Sequence, residues 1–73
     1  MAFAYINTRI NGVLQESRGV FLTGENDKEK LTEQFNQNLK DHRVPPVAGQ
    51  VNIGFKHKVD PFTFDISFAQ PRK

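Results

Sequence analysis

Apolar and polar residues alternate most regularly in the last third of the chain. If the chain reverses at Asp60-Pro61, one face of the resulting hairpin is apolar, and Lys56 opposes Asp65 on the other face. A period of two on both arms is typical of strands with one buried side. The apolar series is Val51, Ile53, Phe55, His57, Val59, Phe62, Phe64, Ile66 and Phe68. The pattern predicts a hairpin over residues 50–69 and a loose tail over residues 70–73.

The first third of the chain carries another hairpin signal, Asn11-Gly12. This dipeptide favours a type I′ turn because both residues tolerate positive φ. Regular pairing over residues 2–22 places Tyr5 opposite Arg18. The predicted core side holds Ala4, Ile6, Ile10 and Val13. The other side keeps Phe3, Tyr5, Leu14 and Val20, which we expect to be exposed unless a bulge at Gly19 turns the end of the strand.

A helix is predicted over residues 27–42, between the two hairpins. Asn26 and Glu29 have the spacing of a capping box at its start. The apolar residues at i, i+4 and i+8 are Leu31, Phe35 and Leu39. This stripe is narrow, so the helix can cover one layer only. The residues predicted on its solvent side are Gln34, Asn36, Gln37 and Asn38.

Together these elements predict an α+β fold of ββαββ order. We expect one small domain over residues 1–73, with a four-stranded, mainly antiparallel sheet and one helix packed on one face. The second face is then left to water or to a partner. A chain of 73 residues has a marginal core, and the absence of cysteine removes disulfides as a supplement. Self-association or a protein partner is therefore expected.

The residue pattern argues against an enzyme. It contains no nucleophile elbow, no metalloprotease motif and no glycine-rich phosphate loop. His42 is predicted to be a favourable charge at the helix C-terminus, and His57 a partly exposed edge residue opposite Phe64. A metal site on the two histidines would lack a third ligand. We expect no catalytic residues, no metal, no cofactor and no small-molecule substrate.

The N-terminus shows no signal-peptide pattern, and no apolar run has the length of a membrane span. A soluble, cytoplasmic protein without a membrane partner is the expectation. The formal charge of +2, from ten basic and eight acidic residues, is too small to identify a nucleic-acid-binding protein by itself.

Protein binding is the function that the pattern favours. Its hypothetical surface combines the apolar residues left over on the first hairpin with two arginines, since Tyr and Arg are enriched at interface hot spots. These residues are Phe3, Tyr5, Arg9, Leu14, Arg18 and Val20. The interpretation is a non-catalytic adaptor or inhibitor that forms a homodimer or docks on a larger assembly. In its length, compactness and lack of a catalytic motif the chain resembles small bacterial or phage accessory proteins. The alternative, in which a bulge makes the apolar residues ordinary core, stays open.

Nucleic-acid binding is the alternative function. The basic residues that could track phosphates are Lys56, Lys58, Arg72 and Lys73. Platforms for single strands also need exposed aromatic rings on the same face. Only Tyr5 and Phe3 are expected there, so this hypothesis ranks second.

Overall fold

The computed structural model describes residues 2–70 and has the predicted ββαββ order in an α+β fold. One open sheet contains all four strands in the order β2-β1-β4-β3, and every neighbouring pair is antiparallel. The elements are β1 (Ala2–Ile10), β2 (Val13–Leu22), α1 (Asp27–Asp41), β3 (Lys56–Val59) and β4 (Phe62–Ser67). The predicted tail lies outside the described residues apart from Gln70. Within residues 2–70, no helix combines the length and the apolar character needed to cross a membrane.

The core lies between α1 and one face of the sheet. The three residues of the predicted helix stripe are completely or almost completely buried there. They pack with buried residues of β1, β2 and β4 and of the connector after the helix: Ala4, Ile6, Val20, Leu22, Val44, Val51, Phe64 and Ile66. Each fully buried large apolar side chain contributes about 1.5–3 kcal/mol to folding. This clustering fixes α1 on one face and leaves the other face uncovered.

The ends of α1 differ from the predicted capping. Asn26 is the N-cap residue, but it has φ 55° and its side chain makes no capping hydrogen bond. The carboxylate of Asp27 instead accepts hydrogen bonds from the backbone N–H groups of Thr23 and Gly24, both at 3.1 Å. The capping-box prediction was therefore wrong, because the first-turn acid holds the preceding loop.

The C-terminal end of α1 closes as a Schellman motif. The N–H of Val44 donates to the carbonyl of Leu39 at 2.9 Å, and the N–H of Arg43 donates to Lys40 at 3.0 Å. Arg43 has the positive φ that this motif requires, 60°. The helix therefore ends at Asp41, one residue before the predicted boundary.

A β-bulge in β2 changes the predicted register of the first hairpin. Ile10 pairs with Val13 as expected and Arg9 pairs with Leu14, but Thr8 pairs with Glu16, so Gln15 is the extra residue. Beyond this point every partner in β2 is one residue later than in the regular pairing. Regular pairing was therefore wrong beyond Arg9, and the alternative of a bulge is confirmed, although it lies at Gln15 and not at Gly19.

The second hairpin keeps its predicted register but is shorter. The observed partners include Val59 with Phe62 and Lys56 with Asp65. N-terminal to β3 the chain turns instead of continuing as a strand, because Gly54 adopts φ 90°. The N–H of Gly54 donates to the carbonyl of Ile66, and the N–H of Ile66 donates to the carbonyl of Phe55. The strand predicted from residue 50 therefore begins at residue 56.

Candidate functional site

The uncovered side of the sheet, called here the open face, is organised in four rows across the strands. The pairing defines each row, because directly paired residues share a face. From one end to the other the rows are Phe21 and Phe3; Gly19, Tyr5 and Ser67; Ser17, Asn7, Asp65 and Lys56; and Leu14, Arg9, Thr63 and Lys58. The first row is aromatic and the second is uncharged, while the four charged residues of this face all lie in the last two rows.

The aromatic end of the open face is solvent-exposed. Phe3 is 51% exposed and Phe21 is 43% exposed, and their rings meet edge to face with centroids 5.3 Å apart. Gly19 lies beside them, and a methyl group there would contact the rings of Phe3 and Tyr5 at 3.7 Å. Exposed rings grouped this way are typical of binding surfaces.

The middle of the open face is held by hydrogen bonds centred on Asn7. Asn7 is only 1% exposed although no second layer covers it. Its amide donates to Asp65 Oδ1 at 2.7 Å and to Ser67 Oγ at 3.0 Å, and it accepts a hydrogen bond from Ser17. The network joins β2, β1 and β4, so it makes the open face rigid.

The basic end has two lysines whose charge is little used within the chain. Arg9 Nε lies 3.4 Å from Asp65 Oδ2, and both side chains are largely shielded. Lys58 Nζ lies 3.8 Å from Asp60, but both groups are highly exposed, so this pair contributes little. Lys56 has no carboxylate within 4.0 Å among residues 2–70. Two other predicted basic residues, Arg72 and Lys73, lie outside the described residues.

The structure separates the predicted protein-binding residues. Phe3, Tyr5 and Arg9 share the open face, and Tyr5 pairs with Gly19 instead of Arg18. Val20, 6% exposed, belongs to the core under α1.

The other two predicted binding residues, Leu14 and Arg18, are not exposed on the open face either. Leu14 is on that face but only 8% exposed. Arg18 is on the helix side because of the bulge. Leu14 and Val20 are therefore buried and not exposed. For Val20 this agrees with the alternative in which a bulge makes it ordinary core. Sequence reasoning missed Phe21.

Arg18 connects β2 to the end of α1. Its Nη1 donates to Asp41 Oδ2 at 2.7 Å. Its Nε lies 3.0 Å from Glu16 Oε1, so the guanidinium forms a second ion pair within β2. The hydrogen bond from Arg18, with a second from Gln37, holds the pKa of the Asp41 carboxyl below its ordinary value.

The two edges of the sheet differ. The edge strand β3 has four residues, two of which are lysines. The edge strand β2 has ten residues, and positions 19–22 carry no charge. A groove of about 390 Å³ runs between β2 and α1, lined by Gly19, Val20, Phe21, Lys30, Glu33 and Gln34. Short, lysine-bearing edges resist strand pairing, whereas a long uncharged edge supports it.

The two histidines and Asn38 have structural contacts, although the Oδ1 atom of Asn38 has no hydrogen-bond partner within residues 2–70. The His42 Nδ1–H donates to the carbonyl of Asn38 at 2.8 Å, and its ring packs against Phe62 and Phe64. Asn38 itself is fully buried and donates to Thr8 Oγ1 at 2.8 Å, so its predicted solvent position was wrong. His57 is half-buried and stacks on Phe55. Within residues 2–70, no group of three or more His, Cys, Asp and Glu side chains could hold a metal ion.

No protein-family model, curated protein sequence or solved structure matches this chain.

Proposed function

We propose that this chain is a non-catalytic protein-interaction module that forms a homodimer by pairing β2 with β2 of a second copy. The observation that carries the proposal is the unprotected edge of β2, whose neighbour lies on one side only within residues 2–70. Strand addition at such an edge gains main-chain hydrogen bonds over several residues. The groove between β2 and α1 provides space beside the added strand.

The distribution of charge favours this edge over the open face for self-association. The charged residues of the open face are Arg9, Lys56, Lys58 and Asp65, which give a formal charge of +2. Two copies packed face to face would bring like charges together. The charged residues of β2 and the groove are Glu16, Arg18, Lys30 and Glu33, which sum to zero. Edge-to-edge pairing about a two-fold axis avoids that repulsion.

The size of the chain supports a second copy as the partner. A domain of this length buries a smaller share of its surface than larger domains, so an interface adds usefully to its stability. A standard interface removes about 800 Å² per partner, roughly one sixth of the 4883 Å² surface of the described chain. The β2 edge, the groove wall of α1 and the exposed ring of Phe21 would all have to take part.

Light scattering tests the proposal. We expect a mass about twice the 8.3 kDa of one chain and a shift toward the monomer in the variant Phe21→Lys, because this lysine lies within the uncharged stretch 19–22 that is proposed to pair. Val13→Lys is the matched control, since Val13 is an exposed residue of the same strand before the bulge.

Circular dichroism of both variants establishes that they are folded. A wild-type chain that stays monomeric at all concentrations would contradict the proposal, as would equal dissociation by the two variants.

A further inference from the structure

We infer that the open face binds single-stranded nucleic acid, with bases on its aromatic end and phosphates at its basic end. This inference goes beyond the proposed homodimer and uses aromatic and basic residues of the open face, of which only Phe21 also belongs to the proposed dimer interface. It does not require the second copy, because one chain carries both groups of residues. Pairing of β2 would place two such faces side by side.

The aromatic rings of the open face are spaced so that bases can stack on them. Phe3 and Tyr5 occupy successive open-face positions of the central strand β1, and Phe21 lies beside Phe3. At about 3.3 Å per residue, the two positions of β1 are roughly 7 Å apart. Exposed rings on a sheet offer stacking surfaces to bases of any sequence. The bulge at Gln15 brings Phe21 to this face, so there are three aromatic residues where the sequence indicated two.

The basic residues of the open face are placed to contact phosphates. Lys56 and Lys58 project from β3, two strands from β1, at a lateral distance of roughly 10 Å. Asp65, the acidic residue of this face, is only 17% exposed at its side chain and is neutralised by Arg9. The charge that reaches solvent is therefore that of the two lysines, which suits a chain of phosphates.

The other side of the molecule has the opposite charge. Residues 23–43, which include the helix that covers the sheet, contain five acidic and four basic residues, a formal charge of −1. The open face has +2. A polyanion is thus directed to the face that carries the aromatic rings.

The shape of the face favours a single strand over a duplex. A duplex keeps its bases stacked in the interior and presents edges in grooves that admit a helix or a narrow ribbon. The open face is a broad sheet surface with rings and polar side chains lying on it. Such a surface contacts unstacked bases, which only single-stranded DNA or RNA provides.

Fluorescence anisotropy with labelled oligonucleotides of about ten residues tests the inference. We expect oligo(dT) and oligo(U) to bind at low salt and a hairpin duplex to bind more weakly. The two single strands distinguish DNA from RNA, because only RNA offers the 2′-hydroxyl. Affinity should fall as salt increases, and loss of two phosphate contacts in Lys56→Gln/Lys58→Gln should reduce the slope of log K against log salt by about 1.4.

The control for charge is Lys28→Gln/Lys40→Gln. It changes the net charge by the same amount, but both lysines are exposed on α1. We expect this variant to bind like the wild type with an unchanged salt slope. The control for stacking is a pair of substitutions at one site. Phe3→Leu should weaken binding roughly 5- to 100-fold, and Phe3→Tyr should keep it.

Three results would overturn the inference. They are absence of binding by the wild-type chain at low salt, equal weakening by the two lysine variants, and binding of the duplex as tightly as the single strands. The homodimer is judged separately by the mass of the wild-type chain without nucleic acid, so failure of one proposal is distinguishable from failure of the other.

Discussion

The two hairpins of this sheet present very different outer strands. In the second hairpin, β3 is short and places Lys56 and Lys58 along the edge, while β4 supplies the buried Phe64 and Ile66. In the first hairpin, β2 continues for ten residues beyond the turn and ends in an uncharged stretch over residues 19–22. Each hairpin therefore combines one inner strand with one edge strand, but only the edge strand of the second hairpin is protected.

This difference shows how a small domain can assign stability and interaction to separate strands. A protected edge prevents uncontrolled pairing, because charges on it are costly to bury. An edge without such protection is a liability in a monomer unless a partner covers it. The comparison therefore supports the proposed pairing of β2 with a second copy, because the edge of the second hairpin is protected and the edge of the first is not.

The largest expected effect is on the free energy of unfolding, and it separates a core residue of the second hairpin from an open-face residue of the first. Phe64→Ala should reduce the free energy of unfolding by about 3–5 kcal/mol, because Phe64 is fully buried against α1. Phe3→Ala, at an exposed position, should cost less than about 1 kcal/mol. Denaturant unfolding of both variants at one protein concentration measures this. Similar losses would show that the open face contributes to stability as the core does.

The next effect concerns the network that joins the two hairpins. Asn7→Ala should cost about 1–3 kcal/mol, because Asp65 and Ser67 both lose a hydrogen-bond donor at a partly buried site. Ser67→Ala removes only one of these bonds and should cost less. Thermal unfolding of the two variants gives the comparison. A neutral Asn7→Ala would mean that the hairpins are joined by their backbone ladder alone.

Removing the protection of β3 should change assembly more than folding. With Lys56→Thr and Lys58→Thr together, both edges of the sheet become competent for pairing, and pairing that continues at each end forms open chains of molecules. We expect sedimentation to show species larger than a dimer. Lys28→Thr/Lys40→Thr is the matched control on α1 and should leave the size distribution unchanged. An unaltered distribution for the β3 variant would remove the proposed protective role of these lysines.

The smallest expected effect is the pH dependence of the contact between β2 and α1. The hydrogen bond from Arg18 lowers the pKa of Asp41 from its ordinary 3.8. The contact therefore contributes its stability above that value, and the contribution is lost as pH falls through the lowered pKa, below about pH 4. The difference in unfolding free energy between wild type and Asp41→Asn should shrink in this range. The difference in unfolding free energy between wild type and Arg18→Gln should shrink over the same pH range. A difference that grows as the pH falls would contradict this expectation.

Much of the fold was predictable because local signals agreed with burial. Asn11-Gly12 fixed the first turn, and the alternation in the second hairpin fixed the partners of Val59 and Lys56. The bulge at Gln15 was not predictable at its position, since no glycine or proline marks it. Its place is favoured by tertiary packing, because the shift brings Val20 and Leu22 under α1.

The candidate site was predictable only where its residues do not depend on that bulge. Phe3, Tyr5 and Arg9 belong to β1 and the lysines to β3, and both strands alternate regularly. Phe21 and Val20 lie beyond the bulge, so their faces were exchanged in the regular pairing. The edge position of β2 could not be predicted either, because the order of strands depends on long-range packing that one sequence does not show.

Hydrogen exchange measured residue by residue at low and high protein concentration tests whether β2 is the strand that pairs. If β2 pairs with a second copy, amides of residues 16–22 that point away from β1 should exchange more slowly at high concentration. Amides of the β3 edge should exchange equally at both concentrations. Protection of β2 that does not change with concentration, or that changes only at β3, would contradict the account.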